Sequence, residues 1–292
     1  MQKQVILALD DNPANLDILV ELLTEYSILA CTSAQQALGL LKKHSVDLIL
    51  LDIMMPKING LDVARIIKAD SEINEIPILF ISANDNEDLI EEGFDIGAVD
   101  YVLKPFRPKE LLARVSTHLK MSKMYKDIKK LAYYDTLSGA RNRRSFFEIA
   151  KTYIDKKNHN RLFAVMIDID KFKNINDTYG HGVGDKVIKS LSDIFHQNLD
   201  ENMLFARLGG EEFALLIQDS DKDFVLKFME SMRTKIESHT LEVETMCVKY
   251  QISCGVSVFD ENMKNIDELM NKADEALYDA KNTGRNKVKF RL

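Results

Sequence analysis

The chain has 292 residues, of which 46% are hydrophobic and 29% are charged; this balance is typical of a globular protein and excludes a disordered or fibrous one. Residues 1–120 carry 11 basic and 19 acidic side chains and residues 121–292 carry 28 and 27, so neither part has the basic surface of a nucleic-acid-binding protein. The length is sufficient for two domains, and no apolar stretch approaches the roughly 20 residues of a membrane span.

Two further exclusions come from the N-terminus and the cysteines. The first ten residues end in carboxylates and predict a first strand, not a signal peptide, which favours a cytoplasmic protein with no membrane partner. Cys31, Cys247 and Cys254 lack the spacing of a disulfide framework or a zinc site. We expect all three to be reduced core residues.

Residues 1–120 alternate short apolar runs with amphipathic stretches, which predicts a first domain of α/β type. The predicted strands are Val5–Leu9, Ile28–Cys31, Asp47–Leu51, Ile76–Ile81 and Val99–Val102, with helices between them. This rhythm predicts a five-stranded, doubly wound parallel sheet, whose ligands gather at the carboxyl ends of the strands.

Carboxylates follow the first and third of these strands. Asp10, Asp11 and Asp52 would therefore meet at one edge of the sheet, where oxygen-only ligation favours magnesium; the alternative is a set of unrelated surface acids. Ser82 and Lys104 end the fourth and fifth strands and supply a hydroxyl and an ammonium for phosphate oxygens on Asp52.

These residues, with Met54-Met55-Pro56, Asn59-Gly60, Ser82-Ala83 and the run from Gly97 to Phe106, make residues 1–120 resemble the receiver domain of two-component response regulators. The resemblance implies a flavodoxin-like fold in which Asp52 accepts phosphate from a histidine kinase or a small phosphodonor. It also implies one magnesium ion, held by Asp11, Asp52 and the Met54 carbonyl beside Asp10. The switch residues would be Ser82 and Tyr101, with Lys104.

A continuous helical pattern without glycine leads from Pro108 to about Tyr134. Its apolar positions at residues 121–134, the predicted linker, are Met121, Met124, Ile128 and Leu131. The 3-4-3 spacing favours a dimeric coiled-coil stalk. The pattern is short, and an amphipathic helix packed on its own domain explains it almost as well.

Residues 135–292 predict a second domain of α+β type, with a central antiparallel sheet and helices on one face. The predicted helices are 143–157, 222–238 and 266–281, with a glycine-punctuated segment and helix over 171–198. The predicted strands are 162–168, 203–207, 213–217, 241–246, 249–259 and 287–290.

Candidate catalytic residues stand at a hairpin tip and a strand end of this domain. The tip is Gly209-Gly210-Glu211-Glu212-Phe213, whose glycines allow a tight turn close to a phosphate and whose acids face a metal site. Asp168 ends the 162–168 strand and would share metal ions with Glu211. Taken alone, the hairpin tip is equally compatible with an ordinary acidic turn.

Two further pairs suit a nucleotide. Asp185 can accept the N1 and N2 protons of guanine while Asn176 meets its other edge, although a helix cap and a solvated first-turn acid explain each residue singly. Lys281 and Arg285 would grip phosphates, or would only complement a helix C-terminus.

In order, Asp135–Asn142, Asp168–Asp185, Arg207–Phe213 and Ala276–Asn286 resemble the GGDEF-type diguanylate cyclase domain. The resemblance implies a palm-like fold and a homodimer, in which each subunit binds one GTP with two magnesium ions and the pair forms cyclic di-GMP. The implied residues are Asp168, the Ile169 carbonyl and Glu211 for metal; Phe172, Lys173, Lys281 and Arg285 for phosphates; Asn176, His181 and Asp185 around the nucleotide; and Glu211 or Glu212 as general base.

The sequence departs from this family at one regulatory position. Many members carry an Arg-x-x-Asp motif that binds product and inhibits the enzyme, whereas Asp200 and Met203 stand here. We therefore predict a phosphorylation-activated diguanylate cyclase without that inhibitory site. One alternative is an inactive GGDEF domain that senses nucleotides. The other is a transcriptional regulator, which the lack of a helix-turn-helix pattern after residue 121 disfavours.

Overall fold

The computed structural model describes residues 3–56, 58–83, 87–154, 161–244, 246–260 and 262–292. It divides into two compact units, Met1–Ile128 and Lys129–Leu292, each with its own hydrophobic cores. The division between the units falls inside the helix Pro108–Tyr133. The prediction that residues 121–134 form a linker distinct from both domains therefore stays a prediction. Within the described ranges no helix has the length and hydrophobicity needed to span a membrane.

The first unit is a parallel sheet with helices on both faces. Its elements are β1 Val5–Leu9, α1 Pro13–Leu22, β2 Ser27–Cys31, α2 Ala34–Leu41, β3 Leu48–Asp52, α3 Gly60–Ala69, β4 Ile78–Ser82, α4 Glu87–Ile96, β5 Asp100–Leu103 and α5 Pro108–Tyr133. The strand order is β2-β1-β3-β4-β5, and every pairing is parallel. The predicted five-stranded, doubly wound architecture is confirmed.

Alternate residues of β3 build the two cores of this unit. Ile49 and Leu51 belong to one core and Leu48 and Leu50 to the other, because successive side chains of a strand face opposite sides of the sheet. Gly60 begins α3 directly against β3: a Cβ atom there would lie 2.0 Å from the carbonyl oxygen of Asp52. Glycine at this position therefore lets α3 approach the strand end that carries Asp52.

The second unit is built on a mixed sheet. Its elements are β6 Arg141–Asn142, α6 Arg143–Ile154, β7 Phe163–Ile169, α7 Phe172–Tyr179, α8 His181–His196, β8 Met203–Gly209, β9 Glu212–Ile217, α9 Lys222–Ser238, β10 Leu241–Val243, β11 Met246–Val248, β12 Ile252–Val258, α10 Ile266–Asn282 and β13 Val288–Arg291. The main sheet has the order β13-β12-β7-β9-β8-β6. Its four central strands are antiparallel, while β13 and β6 join in parallel.

Helices cover both faces of this sheet, and the prediction that they occupy one face was wrong. Phe163, Val165 and Ile167 of β7 pack in the core that contains residues of α7, α8 and α9. Ala164 and Met166 pack in the second core, which contains residues of α6 and α10. All residues of β7 are buried, so the strand has no polar alternation from which a solvent-facing side could be read.

Three local expectations need correction. The glycine-punctuated segment predicted before the helix within 171–198 is itself largely helical: α7 and α8 are separated only at Gly180, whose φ of 85° does not continue an α-helix. The strand predicted over 241–246 is replaced by the separate hairpin of β10 and β11, and the strand predicted over 249–259 begins only at Ile252 as β12. Cys247 of β11 is exposed, because this small hairpin is not part of the main sheet; Cys31 and Cys254 are buried.

The apolar stripe of the predicted stalk faces solvent within the single chain. Met121, Met124, Ile128 and Leu131 of α5 are 59–63% exposed, whereas the earlier Leu111, Val115 and Leu119 are buried in the first unit. The apolar packing of α5 on its own domain thus ends near Leu119, although Lys126 still pairs with Asp47 at 3.0 Å. A second apolar surface is needed to cover the stripe, and the dimeric stalk stays a prediction.

Candidate functional site

The first unit brings its three predicted carboxylates together. One ligand oxygen from each of Asp10, Asp11 and Asp52 lies within 4.8 Å of the others. Asp10 and Asp52 are buried and Asp11 is exposed, so the cluster opens to solvent on one side. An all-oxygen cluster of this size has the ligand chemistry that suits Mg²⁺.

Lys104 neutralises part of this charge. Its ammonium nitrogen lies 2.7 Å from Oδ2 of both Asp10 and Asp52. Burial raises the pKa of Asp52 above its usual value, although Lys104 donates a hydrogen bond to its carboxylate and the Met54 amide donates another over 3.2 Å. Desolvation therefore outweighs the lysine, and the carboxylate favours additional positive charge.

The remaining receiver residues lie along the same end of the sheet. Ser82 is buried at the end of β4, and its carbonyl oxygen accepts a hydrogen bond of 2.8 Å from the Lys104 amide. Tyr101 lies on β5 opposite Phe80 in register and makes an edge contact with Phe94 of α4. The structure thus places Ser82 and Tyr101 on adjacent strands; their switching role stays a prediction.

In the second unit the acidic turn is a tight hairpin fastened by an arginine. Gly209 and Gly210 connect β8 to β9 with φ of 150° and 53°, which glycine adopts without strain. Arg207 donates from Nε to the Gly210 carbonyl over 2.8 Å. This contact fixes the backbone immediately before Glu211.

The same arginine ties the turn to the segment that follows α5. Arg207 Nη1 lies 2.9 Å from Oδ1 of Asp135, which also accepts hydrogen bonds from the amide and hydroxyl of Ser138. Burial acts to raise the pKa of Asp135, but the bonds from Ser138 and Arg207 outweigh it and hold the pKa below its usual value. Sequence reasoning missed this pair because 72 residues separate its members.

Asp168 lies beside both acids of the turn. It is 5% exposed near the end of β7 and pairs in register with Glu212 of β9. Lys281, on α10, approaches Asp168 Oδ2 to 2.7 Å. Lys281 thus contacts Asp168, and Glu212 is the register partner of Asp168 on β9. Glu211 in the turn lies near enough to affect the charge of Asp168.

The negative charge of the Asp168 carboxylate is only partly compensated by Lys281. Burial raises its pKa to about 6; Lys281 opposes this shift, and Glu211 and Glu212 add to it. Of the two glutamates, Glu211 has the larger effect on Asp168. An oxygen donor set with this need for positive charge fits a divalent cation.

The beginning of α7 lies next to this group. Lys171 precedes the helix with a left-handed φ of 54°, and Phe172 is its first residue and is buried. Lys173 is exposed in the first turn. A helix N-terminus offers unpaired amides and a positive dipole end, which suit phosphate oxygens.

The predicted guanine-facing residues come from α7 and α8. A Cβ atom on Gly184 would lie 2.0 Å from Oδ1 of Asn176, so the two helices approach closely only because residue 184 is glycine. That Oδ1 is buried and has no hydrogen-bond partner among the described residues. Asp185 follows Gly184 and is exposed, and His181 is exposed at the start of α8.

Asp170 is a second residue that sequence reasoning missed. Its buried carboxylate accepts hydrogen bonds from Ser253 Oγ over 2.7 Å and from the Asn286 amide over 2.9 Å. It thereby holds the loop that contains Arg285 against the end of β7. The repeated acid in Asp168-Ile169-Asp170 is the sequence signal that could have identified it.

The position of the absent Arg-x-x-Asp motif lies just before and at the start of β8. Asp200 is exposed and accepts a hydrogen bond from the Asn202 amide, and Met203 is the half-buried first residue of the strand. Neither side chain supplies a cation at this surface.

Comparison with known proteins matches both units. The family model of the diguanylate cyclase GGDEF domain matches residues 132–287, and that of the response regulator receiver domain matches residues 6–116. Response regulator PleD of Caulobacter vibrioides is 29% identical over 255 residues, which cover 83% of this chain and 56% of that protein. Diguanylate cyclase DgcM of Escherichia coli is 32% identical over 184 residues, or 62% of this chain and 43% of that protein.

A solved structure agrees with the second unit. The GGDEF domain of DgcB from Caulobacter crescentus, determined in complex with c-di-GMP, superposes with a TM-score of 0.52 at 28% identity; the match covers 55% of this chain and 93% of that one. The chain spans about half the length of the curated relatives it matches. The GGDEF model matches more than half of the residues of this chain, and the receiver model matches the part before it. The chain therefore belongs to the GGDEF diguanylate cyclase family and carries a response regulator receiver domain.

Proposed function

We propose that the chain is a diguanylate cyclase that condenses two GTP molecules into cyclic di-GMP with release of two pyrophosphates, as a homodimer controlled by phosphorylation of Asp52. The observation that carries the proposal is the meeting of buried Asp168 with Glu211, Glu212 and Lys281 at the edge of a GGDEF-family sheet. This group needs positive charge and lies beside a helix N-terminus suited to phosphate.

Asp168, the Ile169 carbonyl and Glu211 would hold two magnesium ions in each half-site. Bound there, magnesium neutralises triphosphate charge and polarises the reacting phosphorus. Lys281 neutralises Asp168 in this structure, and with a cation at Asp168 its ammonium would be available to the phosphates. Arg285 and the backbone amides near Phe172 and Lys173 complete the phosphate grip.

Guanine would be held between α7 and α8. Asp185 accepts the N1 and N2 protons, a pattern that adenine does not offer. The Asn176 amide has its Oδ1 against Gly184, which leaves Nδ2 to donate to the base. His181 lies at the start of α8, on the nucleotide side of the same pair of helices.

Glu211 is the proposed general base for the attacking 3′-hydroxyl. It is half-buried and acts on Asp168 more strongly than Glu212, which is exposed. A carboxylate that also ligates the metal lies close to the oxygen on which negative charge develops. One chain supplies half of a two-fold symmetric product, so the reaction requires two catalytic domains that face each other.

Control would come from the receiver unit. A histidine kinase or a small phosphodonor would phosphorylate Asp52 in the presence of one magnesium ion, which Asp11, Asp52 and the Met54 carbonyl would hold beside Asp10. Ser82 and Lys104 then hold the phosphate oxygens, and Tyr101 turns inward. The exposed stripe of α5 pairs with that of a second chain and brings the two GTP sites together.

The test is to incubate the purified chain with GTP and magnesium, with and without beryllofluoride, and to separate the nucleotides by chromatography. We expect cyclic di-GMP in both reactions, and more with beryllofluoride. GTP binding without product would instead identify an inactive, nucleotide-sensing GGDEF domain. An unchanged rate with beryllofluoride would remove the receiver from the control of activity.

A further inference from the structure

The second unit contains a cleft of about 460 Å³ on a side of α7 that the proposed guanine site does not use. Lys171, Asn174 and Thr178 line it, at the three- and four-residue spacing of one helix face. Lys249, from the loop after β11, and Arg285, from the loop after α10, close the cleft opposite this face. Phe172 and Asn176 instead approach Gly184 of α8. We refer to this space as the α7 cleft.

The α7 cleft has an excess of positive charge. Lys171, Lys249 and Arg285 line it, and within the described ranges none has a carboxylate at ion-pair distance. Its two acids are already engaged: Asp170 accepts from Ser253 and the Asn286 amide, and Glu237 pairs with Arg233 at 2.7 Å. Unpaired cations around engaged acids select an anionic ligand.

The two loops that carry these cations have unusual backbone conformations. Lys171 and Arg285 have left-handed φ values of 54° and 60°, and Asn286 has 47°. Such values are costly for residues other than glycine and persist where the surrounding structure enforces them. Asp170 holds the loop of Arg285 and Asn286 in this conformation by accepting a hydrogen bond from the Asn286 amide. The cations are thus presented from backbone that is held in place.

We propose that the α7 cleft binds a diphosphate group, and specifically the inorganic pyrophosphate that the proposed cyclase reaction releases. The proposal rests on the proposed function for the source of this ligand. The cleft begins at Lys171 and Arg285, where the β- and γ-phosphates of GTP would lie, and continues to Lys249, which has no implied role toward the substrate. A departing pyrophosphate thereby meets further cations in the cleft, and Asn174 and Thr178 add polar groups.

The chain offers a direct probe of occupancy. It contains no tryptophan, and Tyr179 is exposed at the edge of the cleft, so Tyr179→Trp introduces a single fluorophore there. The full chain with this substitution is titrated with pyrophosphate in EDTA, which keeps metal-dependent nucleotide binding out of the measurement. A second titration uses a non-hydrolysable GTP analogue in magnesium without EDTA, so that metal-dependent binding of the substrate phosphates is included.

We expect pyrophosphate to change the emission, and Lys249→Ala in the same background to raise its dissociation constant roughly tenfold, the effect of one charge-assisted hydrogen bond. The matched control is Lys227→Ala, which removes an exposed lysine of α9 outside the cleft and should change the constant by less than about twofold. Calorimetry with the unlabelled chain checks that the fluorophore does not create the site.

Three results would overturn the proposal: no pyrophosphate binding, equal binding in the Lys249→Ala variant, or a Lys249-dependent signal with the GTP analogue, which would place substrate phosphates in the cleft. The assay requires no turnover. A chain that makes no cyclic di-GMP but binds pyrophosphate through Lys249 would refute the proposed function and support the site. A chain that makes the product but binds no pyrophosphate would refute the site alone.

Discussion

The two units hold buried carboxylates in different ways. In the receiver unit Asp10, Asp11 and Asp52 already cluster within 4.8 Å, and Lys104 bridges two of them. In the catalytic unit Asp168 is buried with Lys281, and its acidic neighbours come from the hairpin turn. Burial raises the pKa of Asp52 and of Asp168 despite the lysine beside each.

The difference indicates two modes of cation binding. The receiver cluster presents three acids of one sheet edge and can accept a cation beside Lys104. At the catalytic site Lys281 occupies the position beside Asp168, so under the proposed function a cation would replace the lysine there and leave its ammonium free for phosphates. The receiver cluster would thus add a cation beside its lysine, whereas the catalytic site would exchange one for the other.

The largest expected effect comes from removing the catalytic carboxylates. Asp168→Asn and Glu211→Gln should each lower the rate of cyclic di-GMP formation by roughly a hundredfold or more, because each removes a proposed metal ligand at the reacting phosphate. Asp223→Asn, an exposed acid in the first turn of α9, is the control. Rates near that of the parent chain for either variant would refute the metal assignment.

Asp168 also gives a stability prediction whose sign depends on pH. Its folded pKa of about 6 lies above the unfolded value, so its neutral form stabilises the fold at low pH and this stabilisation is lost as the pH rises toward 6. Asp168→Asn should therefore be more stable than the parent chain at pH 8, by on the order of 1–2 kcal/mol. Thermal unfolding at pH 8, 4.5 and 3 measures the difference, which should shrink at pH 4.5 and vanish only below the unfolded pKa of 3.8. A lower melting temperature for the variant at pH 8 would show that the ion pair with Lys281 outweighs burial.

The receiver side is tested by Asp52→Asn. The variant cannot form the acyl phosphate, so it should keep basal activity and lose the increase produced by beryllofluoride or acetyl phosphate. Cyclic di-GMP formation and sedimentation, with and without beryllofluoride, are the measurements. Asp62→Asn, an exposed acid on α3, should respond like the parent chain. An equal response in Asp52→Asn would mean that activation arises elsewhere.

Asp135 has no proposed metal role, and its pKa shifts in the opposite direction to those of Asp52 and Asp168. The pKa of Asp135 is held below its usual value, so its ion pair with Arg207 stabilises the fold at neutral pH and is lost as the pH falls through the folded pKa. Asp135→Asn should lower stability at pH 7 by about 1 kcal/mol, with no loss in strong acid. It should also reduce turnover several-fold, because Arg207 holds the turn before Glu211.

A double-mutant cycle with Arg207→Gln identifies the source of this effect. The two substitutions should be non-additive in both unfolding free energy and turnover, since they remove the same contact. Additive effects would mean that Asp135 acts through Ser138 and not through the turn.

The smallest expected effect is an absence of inhibition. With Asp200 and Met203 at the position of the Arg-x-x-Asp motif, an anion would face a dianionic ligand, so micromolar cyclic di-GMP should not inhibit non-competitively. Progress curves with added product, and with a phosphodiesterase that removes it, test this. Inhibition relieved by the phosphodiesterase and not by GTP would reveal a product site elsewhere on the surface.

The sequence by itself determined the classes of both units and located most of the candidate residues for their chemistry. Strand ends are readable from short apolar runs, so the convergence of Asp10 and Asp52 followed from the rule that parallel strands end at one edge. The GGDEF turn and Asp168 were equally local signals, because glycines and acids stand out between apolar strands.

Only the tertiary structure decided which side chains are paired and which are left without a partner. The bonds of Asp135 to Arg207 and of Asp170 to Asn286 join residues 72 and 116 positions apart, and no local pattern encodes such distances. The fully buried β7 likewise gave no sign that helices cover both faces of its sheet. Burial, ion pairing and the α7 cleft arise from packing between distant segments, because desolvation and Coulomb energy depend on separation in space and not along the chain.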